Sequence, residues 1–271
     1  MNGRSINHGS ARPAAEARAV PGRPPESEDA MRRQESRIRL GVVVPSVNTV
    51  VEPWFNEVSP AGVTVHAARM LLDKDLTAAA VLRMDREEGM HAVEQLVSCK
   101  PASIAYCCTA SSIIEGVAYD DVLIREISRV AGVPAVTATR SIIMALRVFG
   151  AGRLALASPY AAEIDDAEHR FFADAGFDVA SSARLGITDS FRLADPSGRD
   201  ITELAKQAWN SDADALVITC LNLRSHEVVD ELEREFGKPV ITSTQATLWQ
   251  LLRSAGVEDR IEGYGRLLSA H

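Results

Sequence analysis

One pattern is written twice in this chain, and it limits the fold more than any other feature. Gly132-Val-Pro-Ala-Val-Thr-Ala-Thr opens a segment that closes on Gly150, and Gly237-Lys-Pro-Val-Ile-Thr-Ser-Thr opens one that closes on Gly256. Each runs glycine-x-proline, an apolar pair, Thr-x-Thr, an amphipathic helix and a terminal glycine, the residue that suits a left-handed helix cap. Upstream of each copy lies an apolar run ending in cysteine, Ser103-Ile-Ala-Tyr-Cys-Cys108 and Leu216-Val-Ile-Thr-Cys220. Further upstream come Leu40-Gly-Val-Val-Val-Pro45 and Leu154-Ala-Leu-Ala-Ser-Pro159. Four landmarks in one order at near-equal spacing predict a duplicated unit.

Short apolar runs alternate with longer helical stretches from Arg39 onward, the pattern of βαβ units and a parallel sheet. Strands are predicted over 40–45, 63–68, 103–107 and 135–137, and again over 154–158, 178–184, 215–219 and 240–242. Helices are predicted over 120–131, 142–149, 161–175, 200–210, 226–236 and 247–255. The expected fold is therefore α/β, with two pseudo-symmetric lobes, each a four-stranded parallel sheet flanked by helices. Residues 37–150 would form the first lobe, completed by the C-terminal segment, and 151–271 the second. Ligands of open parallel sheets bind outside the carboxyl ends of the strands. A two-fold relation turns those ends toward one cleft.

Residues 1–36 differ in kind. They are rich in Arg, Pro, Ala, Gly and Glu, show no period, and lack the apolar stretch of a secretory signal. Such a segment cannot bury enough surface to offset the entropy of ordering, so a disordered tail is expected. A net charge of −8 argues against a nucleic-acid surface, and no apolar run approaches a membrane span. A cytoplasmic location follows as an expectation. The six histidines are scattered, so no metal is expected, and no glycine-rich phosphate loop points to a nucleotide cofactor.

Four cysteines, 99, 107, 108 and 220, show neither CxxC spacing nor a disulfide framework. Cys107 alternates to the other strand face and reads as core, and Cys99 ends a helix. Cys108 and Cys220 occupy equivalent strand ends. Each precedes a polar turn, Thr109-Ala110-Ser111-Ser112 or Leu221-Asn222-Leu223-Arg224-Ser225. Turns that open helices present free N–H groups and a favourable dipole, which would bind a carboxylate and acidify a thiol. Cys108, before the denser set of donors, is predicted to be the more acidic thiol. Two opposed thiols can remove a proton from one face of a carbon and return it on the other. Alternatively, one adds to an activated double bond while the other handles the proton. Ser46 and Asn48 after the first strand, and Tyr160 in the matching place of the second half, add polar groups at the cleft rim.

These residues carry a resemblance. Val44-Pro45-Ser46-Val47-Asn48-Thr49 with Glu52, Tyr106-Cys107-Cys108-Thr109, Ser158-Pro159-Tyr160 and Cys220 resemble the maleate cis–trans isomerases and arylmalonate decarboxylases, a branch of the aspartate/glutamate racemase superfamily. The likeness runs from about Arg37 to Ser269. It implies cofactor-independent chemistry, with Cys108 adding to maleate and Cys220 as acid and base. Asn48 and Tyr160 would hold carboxylates, and Thr109, Ala110, Leu221 and Asn222 would line the site. The decarboxylases carry glycine in place of Cys108. The isomerases carry a carboxylate-binding asparagine where this chain has Ser190, a departure that leaves the substrate open. A small dicarboxylate, maleate first, is expected; an amino-acid or hydantoin racemase with the same thiols is the alternative. A two-lobed protein that binds a ligand without reacting is a third. A homo-oligomer, dimer or tetramer, is also expected.

Overall fold

The apolar runs pair as the duplication requires. A computed structural model describes residues 37–271; the tail expected over 1–36 lies outside the described residues. The first half runs β1 (Ile38–Pro45), α1 (Val51–Val58), β2 (Val63–Met70), α2 (Ala78–Met84), a π-helical turn (Asp85–Gly89), α3 (Met90–Val97), β3 (Ser103–Tyr106), α4 (Thr109–Glu115), α5 (Val117–Ala131), β4 (Ala135–Thr137) and α6 (Ala138–Val148). The second runs β5 (Arg153–Tyr160), α7 (Ala162–Asp174), β6 (Asp178–Ile187), α8 (Gly198–Ala208), β7 (Ala215–Ile218), α9 (Val229–Phe236), β8 (Val240–Thr242), α10 (Ser243–Ser254) and α11 (Arg266–Ala270). The sheet orders are the same, β2-β1-β3-β4 and β6-β5-β7-β8, and every ladder is parallel.

The central strands show why. All four side chains of β7, Ala-Leu-Val-Ile, are buried, as are those of β3. A strand apolar on both faces needs cover on both, which crossover helices provide. Each large side chain so buried contributes about 1.5–3 kcal/mol.

The repeated Thr-x-Thr segments start their helices earlier than the predicted 142 and 247. Thr137 and Thr242 end their strands and also cap the helices that follow. Thr137 Oγ1 accepts the Arg140 N–H at 3.1 Å, and Thr242 Oγ1 accepts that of Gln245 at 3.1 Å. Strand therefore passes into helix with no loop between. Gly150 and Gly256 stand just past the helix ends with φ of 62° and 77°, as the pattern predicted. These two helices, α6 and α10, pack on each other and join the halves. The end of α10 also meets β3, where the Ser254 and Ser103 hydroxyls stand 2.6 Å apart.

The C-terminal segment, expected to complete the first lobe, has polar anchors in the second. Gly265 N–H donates to Asp230, and Gln245 Nε2 to the Tyr264 carbonyl. Its contacts with the first half include Tyr264 against Trp54 and His271 against Phe149. Among the described residues no helix is long and apolar enough to cross a membrane.

Candidate active site between the two sheets

Both cysteines at the repeated strand ends line one cavity, together with Pro45, Asn48, Thr109, Ala110, Tyr160, Leu221 and Asn222. The remainder of its wall is largely apolar, from Leu72, Leu76, Val81 and Leu193. Cys108 is the N-cap residue of α4 and 8% exposed. Cys220 is 4% exposed and has φ of 78°. A non-glycine residue in the left-handed region costs on the order of 1–3 kcal/mol, and such residues gather at functional sites. The turn after Cys220 leads into a short 3-10 helix (Ser225–Val228) before α9, so only Cys108 directly opens an α-helix.

The thiols are not acidified, contrary to the expectation from their turns. Burial pushes Cys108 up to about 12, and the nearby Asp85 carboxylate adds to the rise. Ser111, whose hydroxyl and N–H favour the thiolate, offsets only part of it. Burial also raises Cys220, to about 11, against the Tyr160 hydroxyl and the Asn222 N–H, which favour its thiolate. Enclosure thus raises both thiols, Cys108 no less than Cys220. Desolvation outweighs a few donors when the charged group is fully enclosed.

The predicted polar groups divide into those that face the cavity and those that build it. Asn48 Oδ1 accepts the N–H groups of Val50 and Val51 at 3.0 and 2.9 Å, starting α1. Its Nδ2 is the donor left for a ligand. Asn222 joins the halves with its side chain: Oδ1 accepts the Thr49 N–H at 2.9 Å, and Nδ2 donates to the Val47 carbonyl at 3.2 Å. That leaves its backbone N–H and the second N–H of Nδ2 for a ligand. Ser46 and Ser190 do not line the cavity. Ser46 Oγ accepts the Leu72 N–H, and Ser190 Oγ donates to the Asp73 carbonyl at 2.6 Å. Both hold the segment 71–77, which crosses from the first half and supplies Leu72 and Leu76 to the wall. A backbone pair from Leu76 N–H to the Thr188 carbonyl and an ion pair from Lys74 to Asp189 fasten it further. Ser190→Ala should therefore speed hydrogen exchange over 71–77 while lowering stability by only about 1 kcal/mol. Exchange mass spectrometry with unchanged protection there would refute this.

Cys107 is buried as expected, although it also reaches the cavity wall; its thiol donates to the Ala105 carbonyl at 3.6 Å. Cys99 is half-buried just past α3, and its carbonyl accepts from Arg39. Two buried carboxyls behind the cysteines escaped the sequence reading. Asp85 accepts from Tyr106 Oη at 2.6 Å and Ser111 Oγ at 2.8 Å. Glu168, fully buried on α7, acts electrostatically on Tyr160 and Cys220. A signal existed for both: Asp85 follows the buried Val81 by four, and Glu168 follows the buried Ile164 by four. Each places a carboxyl on an apolar helix face.

Several known proteins share this architecture. A maleate isomerase from Geobacillus stearothermophilus is 25% identical over 248 residues, covering 85% of this chain and 97% of that protein. An arylmalonate decarboxylase from Bordetella bronchiseptica is 28% identical over 162 residues, covering 59% and 68%. The structure of a maleate cis–trans isomerase variant from Nocardia farcinica with a covalently bound succinylcysteine intermediate superposes with a TM-score of 0.82 at 24% identity, over 86% of this chain and 99% of that one, and so shares the fold. The arylmalonate decarboxylase family model matches residues 40–268, nearly the whole described body, and the chain belongs to that family.

Proposed function

We propose that this protein is a cofactor-independent maleate cis–trans isomerase in which Cys108 is the nucleophile and Cys220 the acid and base. One observation carries the reading: two thiols from equivalent strand ends line a single cavity. Cys108 sulfur would bond to one alkene carbon of maleate while Cys220 gives its proton to the other. The former double bond is then a single bond and can rotate. Return of the proton to Cys220 and loss of the Cys108 sulfur would leave fumarate. The adduct between these steps is a succinylcysteine, the species named in the Nocardia farcinica relative. Asn48 Nδ2, Tyr160 and the N–H groups of Thr109, Ala110, Leu221 and Asn222 would receive the carboxylates.

A second reading, a racemase acting alpha to one carboxylate, uses the same pair. It is favoured by Ser190, which is spent on Asp73 and does not line the cavity, and by the apolar wall of Leu72, Leu76, Val81 and Leu193. Incubation with maleate, aspartate, glutamate and hydantoins in deuterated water separates the two. Fumarate in the proton spectrum supports the isomerase. Deuterium at the alpha carbon with loss of optical activity supports the racemase and removes the first reading. The protein is expected to act as a dimer or tetramer in the cytoplasm; light scattering on the eluted protein checks the assembly.

A further inference from the structure

The seat of Asp85 is unusual. It opens the π-helical turn Asp85–Gly89 between α2 and α3, a register that recurs at functional sites because it turns a side chain out of its ordinary helical direction. The turn is pressed against β3: a Cβ on Gly89 would stand 2.9 Å from Tyr106 Oη. Asp85 is 8% exposed, and its two oxygens are treated differently. Oδ1 receives both hydroxyls, whereas the buried Oδ2 has no hydrogen-bond partner. A carboxyl oxygen left unpaired in the interior is costly and calls for an explanation. Asp85 does not line the cavity of the cysteines. It borders a separate surface depression with Gly89, Met90, Tyr106 and Tyr119. Ser111 bridges the two, donating to Asp85 Oδ1 and standing near Cys108 sulfur.

We infer that Asp85 is the positioning residue that takes the Cys108 thiol proton through Ser111 and exchanges it with solvent at the surface depression behind the active cavity. In this step the sulfur–hydrogen bond breaks and its proton passes to Ser111 Oγ. The hydroxyl proton of Ser111 passes to Asp85 Oδ1, and the electron pair stays on sulfur. The buried group keeps one negative charge throughout, moved from carboxylate to thiolate, so no second charge is desolvated. Tyr106 is not stranded when Oδ1 is protonated, because its hydroxyl also faces Met70 Sδ at 3.0 Å. The need for such a step follows from burial. A thiol held near 12 is ionised in roughly one molecule in 10⁵ at pH 7, too few for an unaided nucleophile. Asp85 itself is lifted by burial, against the Tyr106 and Ser111 hydroxyls and together with the Glu115 charge, to about 6. It is therefore mostly ionised at pH 7, and because transfer from the weaker acid is uphill, it acts as a general base while the sulfur attacks its electrophile.

The nucleophilic role of Cys108 rests on the isomerase reading, so the test uses a reagent that does not. Cys108 alkylation by iodoacetamide is followed by peptide mass spectrometry between pH 5 and 9 in the full chain. The rate should rise through an inflection near pH 6 set by Asp85. The other titrating or charged groups around Asp85 are Arg86 on its own turn, Tyr106 on β3, Cys108 and Glu115 on α4, and Tyr119 and Glu126 on α5. Asp85→Asn should erase the inflection and slow alkylation at pH 7 by about 10²-fold or more. Ser111→Ala, which keeps the carboxyl but breaks the bridge, should slow it comparably and serves alone if Asp85→Asn does not fold. Tyr106→Phe removes a donor that holds Asp85 down and should move the inflection upward. Wild-type rate and pH profile in Asp85→Asn or Ser111→Ala would overturn the relay, as would an inflection that survives in Asp85→Asn. Failure of the wild type to form fumarate counts against the isomerase reading alone.

Discussion

Cys108→Ala should abolish fumarate formation and leave no adduct on the protein after exposure to maleate. Cys220→Ala should still form the adduct, slowly, and then stall. The difference follows from what surrounds each sulfur. Cys108 starts α4 and has Ser111 and Asp85 behind it, a route by which its proton can leave. Cys220 faces the Tyr160 hydroxyl and the N–H groups of its own turn, which support its thiolate after it has given a proton up. Its left-handed backbone fixes the direction of the sulfur and is kept in the alanine variant. Loss of a general acid–base group costs about 10²–10⁴-fold, so turnover of Cys220→Ala should fall by that factor, while Cys108→Ala should fall to the background rate. Intact-protein mass spectrometry after maleate exposure, with peptide mapping, decides the assignment. An adduct on Cys220, or one formed equally well in Cys108→Ala, would reverse the roles. Full activity in both variants would remove the thiols from the mechanism.

The parts of this fold that repeat were legible in the sequence, because each copy is a local signal seen twice. Gly-x-Pro followed by Thr-x-Thr marks a strand running directly into a capped helix, and both copies do so at Thr137 and Thr242. Cysteines at matching strand ends line one cavity because the two sheets have one strand order. What escaped depends on residues far apart in the chain. Ser190 meets Asp73 and Asn222 meets Val47 and Thr49, pairings set only when the halves come together. The acidity of the thiols was misjudged for the same reason. Donors in a turn are visible in sequence, whereas the enclosure that opposes them is a property of the assembled cavity. Helix α7 hid its key residue differently. Ala162–Asp174 carries so many charges that it reads as solvated, yet Glu168 lies with Ile164, Phe171 and Phe172 on the buried face.

That residue should make the protein less stable as pH rises. Burial lifts Glu168 from 4.5 to about 8, and the Thr219 and Ser158 hydroxyls recover only part of the shift. Neither of its oxygens has a hydrogen bond of good geometry, so the carboxyl is held in its neutral form. Between about pH 4.5 and 8 the unfolded chain releases this proton while the folded protein keeps it. The folded state binds more protons throughout that window, so stability is full below it, falls across it, and levels off above pH 8. At 1.36 kcal/mol per unit, the drop between pH 5 and 9 attributable to this one group is on the order of 4 kcal/mol. Glu168→Gln keeps the shape and removes the ionisation. Urea unfolding at pH 5, 7 and 9 should show the two proteins close together at pH 5. They should diverge in favour of the glutamine variant as pH rises, by several kcal/mol at pH 9. Parallel stability curves would mean that Glu168 is ionised in the fold, or that another group near Asp165 and Tyr160 carries the charge. The chemistry should respond as well. A neutral side chain here spares Cys220 and Tyr160 the negative charge that Glu168 brings to both once it ionises. Raising the pH should therefore disfavour the Cys220 thiolate in the wild type, and that penalty should vanish in Glu168→Gln, moving the alkaline limb of any rate profile that depends on Cys220.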